Sequence, residues 1–241
     1  MCEMLIVGAE EPVPFTRLEP WVLAQEYYGI AGWGWGVAHM TPEDTLDVRR
    51  SVGRLCENPA ALEELRGCSS RRWSVLLRRP LSLPNVVEDT QPFYSERLGF
   101  AYTHNGDFTY ANDFRGEFGT LLAGKADSEV GFRMTEKLLA EGCDIPSALD
   151  GTLERLGGTA NVALMLANGA VWIDGRALFN KLWRFRVGAM TCAATSMLFR
   201  DESFFDVVFE GEPTERARVN ETTYFLPPIV DANARRRSKS G

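Results

Sequence analysis

The alternation of apolar and polar positions changes character partway along the chain. Cys2 to Ala9 predicts a first strand, broken by Pro12 and Pro14. Gly29 to Gly36 is rich in glycine and tryptophan, and Val37-Ala38-His39-Met40 predicts a strand after it. Thr41-Pro42-Glu43-Asp44 has the chemistry of a helix start: a threonine cap, proline in the first position and acids in the first turn. That helix is expected to run to about Leu55. Asn58-Pro59 opens a shorter helix ending near Gly67. Trp73 to Arg79 predicts a strand closed by Pro80. Gly99 to Thr103 predicts another, leading into His104-Asn105-Gly106, which has the chemistry of a turn. Asp127-Ser128-Glu129 reads as a cap followed by a helix to about Glu141, with Val130, Met134, Leu138 and Leu139 on one face. Pro146 starts a further helix that ends at Gly157-Gly158.

Beyond that point strands dominate. Val162 to Ala167, Asn168-Gly169 and Val171 to Ile173 form the strongest hairpin signal in the chain. Further strands are expected at Arg184 to Val187, Asp206 to Phe209 and Thr223 to Leu226. Strands and helices first, then mostly strands, predict an α+β layered domain with antiparallel sheets rather than an alternating α/β sheet. Residues 1–230 read as one domain, and 231–241, with Arg235-Arg236-Arg237, as a disordered basic tail.

Composition narrows the function classes. With 241 residues, 45% hydrophobic and 24% charged, the chain is ordinary for a globular protein and needs no metal or disulfide to fold. A net charge of -7 lacks the basic footprint of a nucleic-acid binder. No apolar run approaches the roughly 20 residues of a membrane span, and acidic residues interrupt any signal peptide. The five cysteines have no short paired spacing, which argues against a zinc site and a disulfide framework and for a cytoplasmic location. With only His39 and His104, a histidine-rich metal site is excluded, and a cysteine-histidine dyad has only these two bases to draw on.

Cys2 carries the candidate chemistry. Free cysteine is among the most buried residue types, so a packing role is its ordinary reading. If Met1 is removed, however, Cys2 owns both a thiol and an α-amine. That amine titrates at about 7.7–8.0 and can accept the thiol proton without a histidine. Asn105-Gly106, an everyday turn in its structural reading, offers a side-chain amide and a backbone N–H, the two donors of an oxyanion hole. Asp127 is explained as a helix cap, but a carboxylate there also suits a ligand ammonium. Adjacent strand residues face opposite ways, so one of Arg78 and Arg79 points inward. An inward arginine calls for an anionic partner such as a substrate carboxylate.

Together these stretches resemble the class II, N-terminal nucleophile, glutamine amidotransferases, in particular the free-standing single-domain type. Met1-Cys2 matches the start of the family. Gly32 to Val37 matches its Asp-Gly-Trp-Gly stretch, and Leu77-Arg78-Arg79 its His-Ile-Arg. Thr90-Gln91-Pro92-Phe93 matches Thr-His-Pro-Phe, His104-Asn105-Gly106 matches His-Asn-Gly, and Ala126 to Glu129 matches Thr-Asp-Ser-Glu. The matches occur in family order over about the first 130 residues. Val208 to Leu226 loosely resembles the family's C-terminal strands.

The resemblance implies a four-layer αββα sandwich of the N-terminal nucleophile hydrolase type. It implies Cys2 as nucleophile, Asn105 and Gly106 as oxyanion hole, Arg78 for a glutamyl α-carboxylate and Asp127 for its α-ammonium. No cofactor or metal is implied. Pro80-Leu81 stands where the family has Ala-Thr, and Gln91 where it has histidine. Those departures predict a substrate larger than glutamine, such as a γ-glutamyl peptide or amine. The expected activity is hydrolysis of a γ-glutamyl amide through a Cys2 thioester, with a synthase subunit as partner if ammonia is passed on. The rival is a catalytically silent scaffold on the same fold.

Overall fold

The computed structural model describes residues 2–29, 31–79, 84–197, 203–209 and 213–229. Met1, Pro80, Leu81, Gly211, Glu212 and the 231–241 tail lie outside them.

Among the described residues, seven strands form one antiparallel sheet. They are β1 (Glu3–Pro14), β2 (Gly34–Met40), β3 (Leu46–Val52), β4 (Ser69–Arg78), β9 (Leu182–Val187), β10 (Met190–Thr195) and β11 (Thr214–Arg218). Their order is β11-β9-β10-β1-β4-β2-β3. Five more form the second sheet: β5 (Phe93–Ser95), β6 (Phe100–Asp107), β7 (Thr159–Leu166), β8 (Val171–Gly175) and β12 (Thr223–Leu226), in the order β12-β8-β7-β6-β5. The helices are α1 (Glu19–Tyr27), α2 (Pro59–Arg66), α3 (Ala111–Phe118), α4 (Asp127–Ala140), α5 (Ile145–Leu156) and α6 (Phe204–Val208).

Strand alternation sorts the side chains into three apolar layers, because successive residues face opposite sides of a sheet. Leu5, Val7, Val37, Val75 and Leu77 face outward from the first sheet and meet Trp21, Val22, Leu62, Leu65 and Phe205 of α1, α2 and α6. Phe100, Tyr102, Val162 and Leu164 face outward from the second sheet and meet Val130, Met134, Leu138 and Leu149 of α4 and α5. Between the sheets lie Met4, Ile6, Ala38, Leu76, Ala101, Ala163, Met165, Ile173 and Ala193. The result is the expected α+β sandwich with layer order αββα. The Ser74 and Thr103 hydroxyls hydrogen-bond across the inter-sheet layer at 2.8 Å.

Local chemistry sets the elements that match the sequence reading. Asn58 Oδ1 caps α2 by accepting from Ala61 N at 3.1 Å, and Asp144 Oδ1 caps α5 through Ser147 N at 2.8 Å. The Asn168-Gly169 hairpin joins β7 to β8. Four expectations fail. β1 is not broken at Pro12 but continues to Pro14, paired with β4 at Val13↔Ser70 and Pro14↔Ser69 after a register shift. The helix expected from Thr41 to Leu55 is a turn followed by β3. Thr41 and Thr45 close that turn through their hydroxyls, Asp44 takes a left-handed φ of 58°, and β3 then pairs with β2 from Met40↔Leu46. Cap chemistry there serves a hairpin. The strand expected at Asp206 to Phe209 is instead the end of α6, whose Phe204, Phe205 and Val208 pack on the first sheet. The turn expected at His104-Asn105-Gly106 is the continuation of β6, paired with β7 as far as Asp107↔Thr159.

Candidate active site

Cys2 leads into β1 and packs against the inter-sheet layer. Burial pushes the thiol up from its ordinary value; the Arg79 backbone N–H and the Arg78 guanidinium pull it down, and Asp127 adds to the rise. The nucleophile read from the sequence therefore sits in the field of both expected recognition residues.

Asn105 lies on the same face of β6 as Ala101 and Thr103, the face turned toward the first sheet. It is fully buried, and neither Oδ1 nor Nδ2 has a hydrogen-bond partner among the described residues. Leaving a buried polar group unsatisfied costs about 1–3 kcal/mol, and native structures keep few such groups. The register places Asn105 directly opposite Asn161 of β7. Gly106 has a reason of its own for being glycine. A Cβ there would meet Thr159 O at 2.1 Å and Ala160 Cα at 2.6 Å, so the missing side chain admits β7, not a substrate.

Arg78 ends β4 and is buried. Its guanidinium donates to Pro84 O at 3.1 Å and lies 3.7 Å from Asp89 Oδ2. Burial lowers its pKa, and Asp89 and Cys2 oppose that shift. The inward arginine thus already has a resident carboxylate. Asp89 Oδ1 accepts from Lys125 N at 2.5 Å and Ala126 N at 2.8 Å, the residues leading into α4. Asp127 is the first residue of α4; Ala126 takes the cap position. Its Oδ2 accepts from Phe108 N at 2.9 Å and its Oδ1 from the Ser128 hydroxyl at 3.3 Å. Asp89 therefore ties the Arg78 end of β4 to the segment that presents Asp127.

The two histidines stand apart from the thiol. His39 stacks on Trp73, with ring centroids 4.8 Å apart, and its Nδ1 lies 3.8 Å from Asp47 Oδ2. His104 faces the helical layer, stacked on Phe108 at 4.3 Å with Nδ1 3.0 Å from the Ser128 hydroxyl. Burial lowers the pKa of both. Gln91 is not a loose rim residue. It is buried, and its amide takes both backbone groups of His104: Oε1 accepts from His104 N at 2.5 Å, and Nε2 donates to His104 O at 3.0 Å. Gly36 lets this segment approach, since a Cβ there would meet Gln91 O at 1.8 Å. Leu81, the other departure, is outside the described residues.

Sequence reasoning missed a polar cluster behind Cys2. Glu3 is buried, and its Oε2 accepts from the Thr195 hydroxyl at 2.6 Å and Asn180 Nδ2 at 3.0 Å. Burial pushes its carboxyl up to about 7, against those two donors. Asn180 Nδ2 also donates to Cys2 O at 3.1 Å, and Asn180 O accepts from Asn161 Nδ2 at 2.6 Å. Only Glu3, as an acid beside Cys2 in an apolar strand, carried any signal. Among the described residues no group of three His, Cys, Asp or Glu side chains converges to hold a metal, and no helix is long and apolar enough to cross a membrane.

No family model and no curated protein matches the chain. Solved structures do. Glutamine phosphoribosylpyrophosphate amidotransferase from B. subtilis, complexed with ADP and GMP, superposes with a TM-score of 0.67 at 16% identity, covering 95% of this chain and 50% of that one. A structure described as the allosteric regulatory enzyme of purine biosynthesis gives 0.68 at 19% identity, covering 95% and 50%. A glutamine aminotransferase class-II domain protein from Silicibacter pomeroyi gives 0.59 at 16% identity, covering 94% of this chain and 100% of that one. The chain has the fold of class II, N-terminal nucleophile, glutamine amidotransferases. At these identities the likeness is one of fold. The chain spans about half the length of the first two structures and the whole length of the third.

Proposed function

We propose that the protein hydrolyses the γ-amide of a glutamyl compound, with glutamine as the smallest such substrate, through a thioester at Cys2. With Met1 removed, the Cys2 amine takes the thiol proton and the thiolate attacks the amide carbon. The carbonyl oxygen gains the charge and is met by Asn105 Nδ2 and the Gly106 N–H. Collapse of this intermediate breaks the C–N bond, and the amine returns the proton to the departing ammonia or amine. Water, deprotonated by the same amine, then attacks the thioester carbon and frees glutamate and the thiol. Arg78 and Asp127 hold the α-carboxylate and α-ammonium. Because Arg78 already faces Asp89, a substrate carboxylate joins an existing ion pair.

The observation that supports this reading best is Asn105. A buried amide with both polar atoms unpartnered among the described residues is costly unless a ligand completes it. It lies across β6 and β7 from the asparagine that is linked, through Asn180, to Cys2. Passing ammonia to a synthase partner is part of the same proposal. A substrate larger than glutamine belongs to the same proposal only through the change at Pro80-Leu81, because Gln91 is buried against the His104 backbone.

The test is glutamate release from a panel of glutamine, γ-glutamyl peptides and γ-glutamyl amines, with the Met1-free protein and its Cys2→Ala variant. Release from at least one member, absent in Cys2→Ala, is expected. A folded, processed protein that releases nothing from the whole panel supports the silent scaffold.

A further inference from the structure

The mechanism places its nucleophile just before the first paired residue of β1. Cys2 precedes the ladders on both sides of β1, which begin at Glu3↔Leu77 with β4 and Leu5↔Ala194 with β10. Chain ends fray unless something ties them down, and a nucleophile displaced by 1 Å loses about 10²-fold in rate.

Asn180 supplies a tie. It sits in the connection from β8 to β9, where the chain crosses from the second sheet to the first. One side-chain nitrogen donates to both Cys2 O and Glu3 Oε2. Its backbone carbonyl is held by Asn161, which faces Asn105 in the β6–β7 ladder. One residue thereby joins the backbone of the nucleophile to the strand pair that carries the proposed oxyanion donor. Glu3 fixes the direction of the Asn180 amide. Turned over, its oxygen would face the Cys2 carbonyl, an acceptor with no proton to give, and the Glu3 carboxyl would lose the N–H it now accepts. The Thr195 hydroxyl holds Glu3 in turn.

We infer that Asn180 is a positioning residue for the Cys2 nucleophile, aimed by Glu3, and that it acts on the chemical step rather than on substrate binding. This rests on the Cys2 reading above. The bland alternative is that Asn180 only satisfies a buried glutamate.

Two variants of the full, Met1-free chain separate these readings. Asn180→Ala removes both bonds. The double variant Glu3→Gln, Asn180→Asp keeps a hydrogen bond between positions 3 and 180 with donor and acceptor exchanged, deprives the Cys2 carbonyl of its donor, and turns the Thr195 hydroxyl from donor to acceptor at position 3. Both are expected to lower kcat by about 10²-fold, with KM within about twofold of the parent. Alkylation of Cys2 by iodoacetamide, followed by peptide mass across pH, should change its profile in both variants while Cys56 and Cys143 keep theirs. Parental kcat and a parental Cys2 profile in a folded variant would overturn the inference. So would a rise confined to KM, or failure of both variants to fold. If the parent releases no glutamate from any γ-glutamyl amide, the proposed function fails, and the alkylation profiles still decide whether Asn180 positions the thiol.

Discussion

His104 and Asn105 are neighbours on β6, equally buried, and the fold treats them in opposite ways. His104 faces the helical layer, where Gln91 takes its backbone, Ser128 its Nδ1, and Phe108 its ring face. Asn105 faces the space between the sheets, and its amide meets no donor or acceptor among the described residues. Both residues looked alike in the sequence, as polar residues in an apparent turn. The difference is that His104 has a partner for one ring nitrogen and none for Nε2, whereas Asn105 has none for either side-chain atom among the described residues. Other buried polar atoms, among them Gln25 Oε1, Trp35 Nε1 and His104 Nε2, also lack partners among the described residues; Asn105 differs in leaving both polar atoms of its side chain unpartnered, on the face that Cys2 packs against.

If the contrast is functional, the largest effect belongs to Asn105. Asn105→Ala should lower kcat by about 10²–10³-fold, as expected for one oxyanion donor, with little change in melting temperature. An unchanged kcat with a lowered melting temperature would make Asn105 structural.

Glu3 is an intermediate case, partnered yet costly to ionise. Its folded pKa of about 7 stands above the ordinary value of 4.5. The stability it contributes is fully present below about pH 4.5 and is lost as pH rises through 7, amounting to about 3 kcal/mol. Glu3→Gln keeps an acceptor for Asn180 and Thr195 without the charge. Thermal melts from pH 4 to 8 should therefore show the variant gaining on the parent as pH rises. Parallel curves would mean that Glu3 is ionised at little cost.

His104→Ala should act mainly on stability, by about 2 kcal/mol through lost packing and one lost hydrogen bond. A catalytic defect as large as that of Asn105→Ala, at an unchanged melting temperature, would erase the distinction between the two faces. Ser128→Ala should have the smallest effect. Its hydroxyl steadies the Asp127 carboxylate, a contact of about 1 kcal/mol, so KM for glutamine should rise about fivefold with kcat unchanged. An equal rise for a substrate lacking the α-amine would detach Ser128 from ammonium recognition.

Much of this arrangement was legible in the residues. Period-two alternation and cap chemistry located β4, β7, β8, α2, α4 and α5, since those elements follow local rules. Thr41 to Asp44 misled because a helix start and a hairpin turn draw on the same residues. Only pairing with β2 decides between them, and pairing is non-local. His104-Asn105-Gly106 misled for the same reason: β7, more than 50 positions away, extends the strand through a turn-prone triplet. Cys2, Arg78, Asn105 and Asp127 stand out in the sequence as candidates; Asp89 and Asn180 do not, because their contacts with Arg78 and Cys2 are made across the fold.

The most direct measurement is covalent capture. A diazoketone analogue of glutamine, incubated with the Met1-free chain and followed by peptide mass mapping, should form one adduct at Cys2 and leave Cys56, Cys68, Cys143 and Cys192 free. The adduct should be lost when an uncleavable residue precedes Cys2, because the amine that accepts the thiol proton becomes an amide. Equal labelling of the extended chain, or labelling elsewhere with Cys2 untouched, would contradict an N-terminal nucleophile at this site.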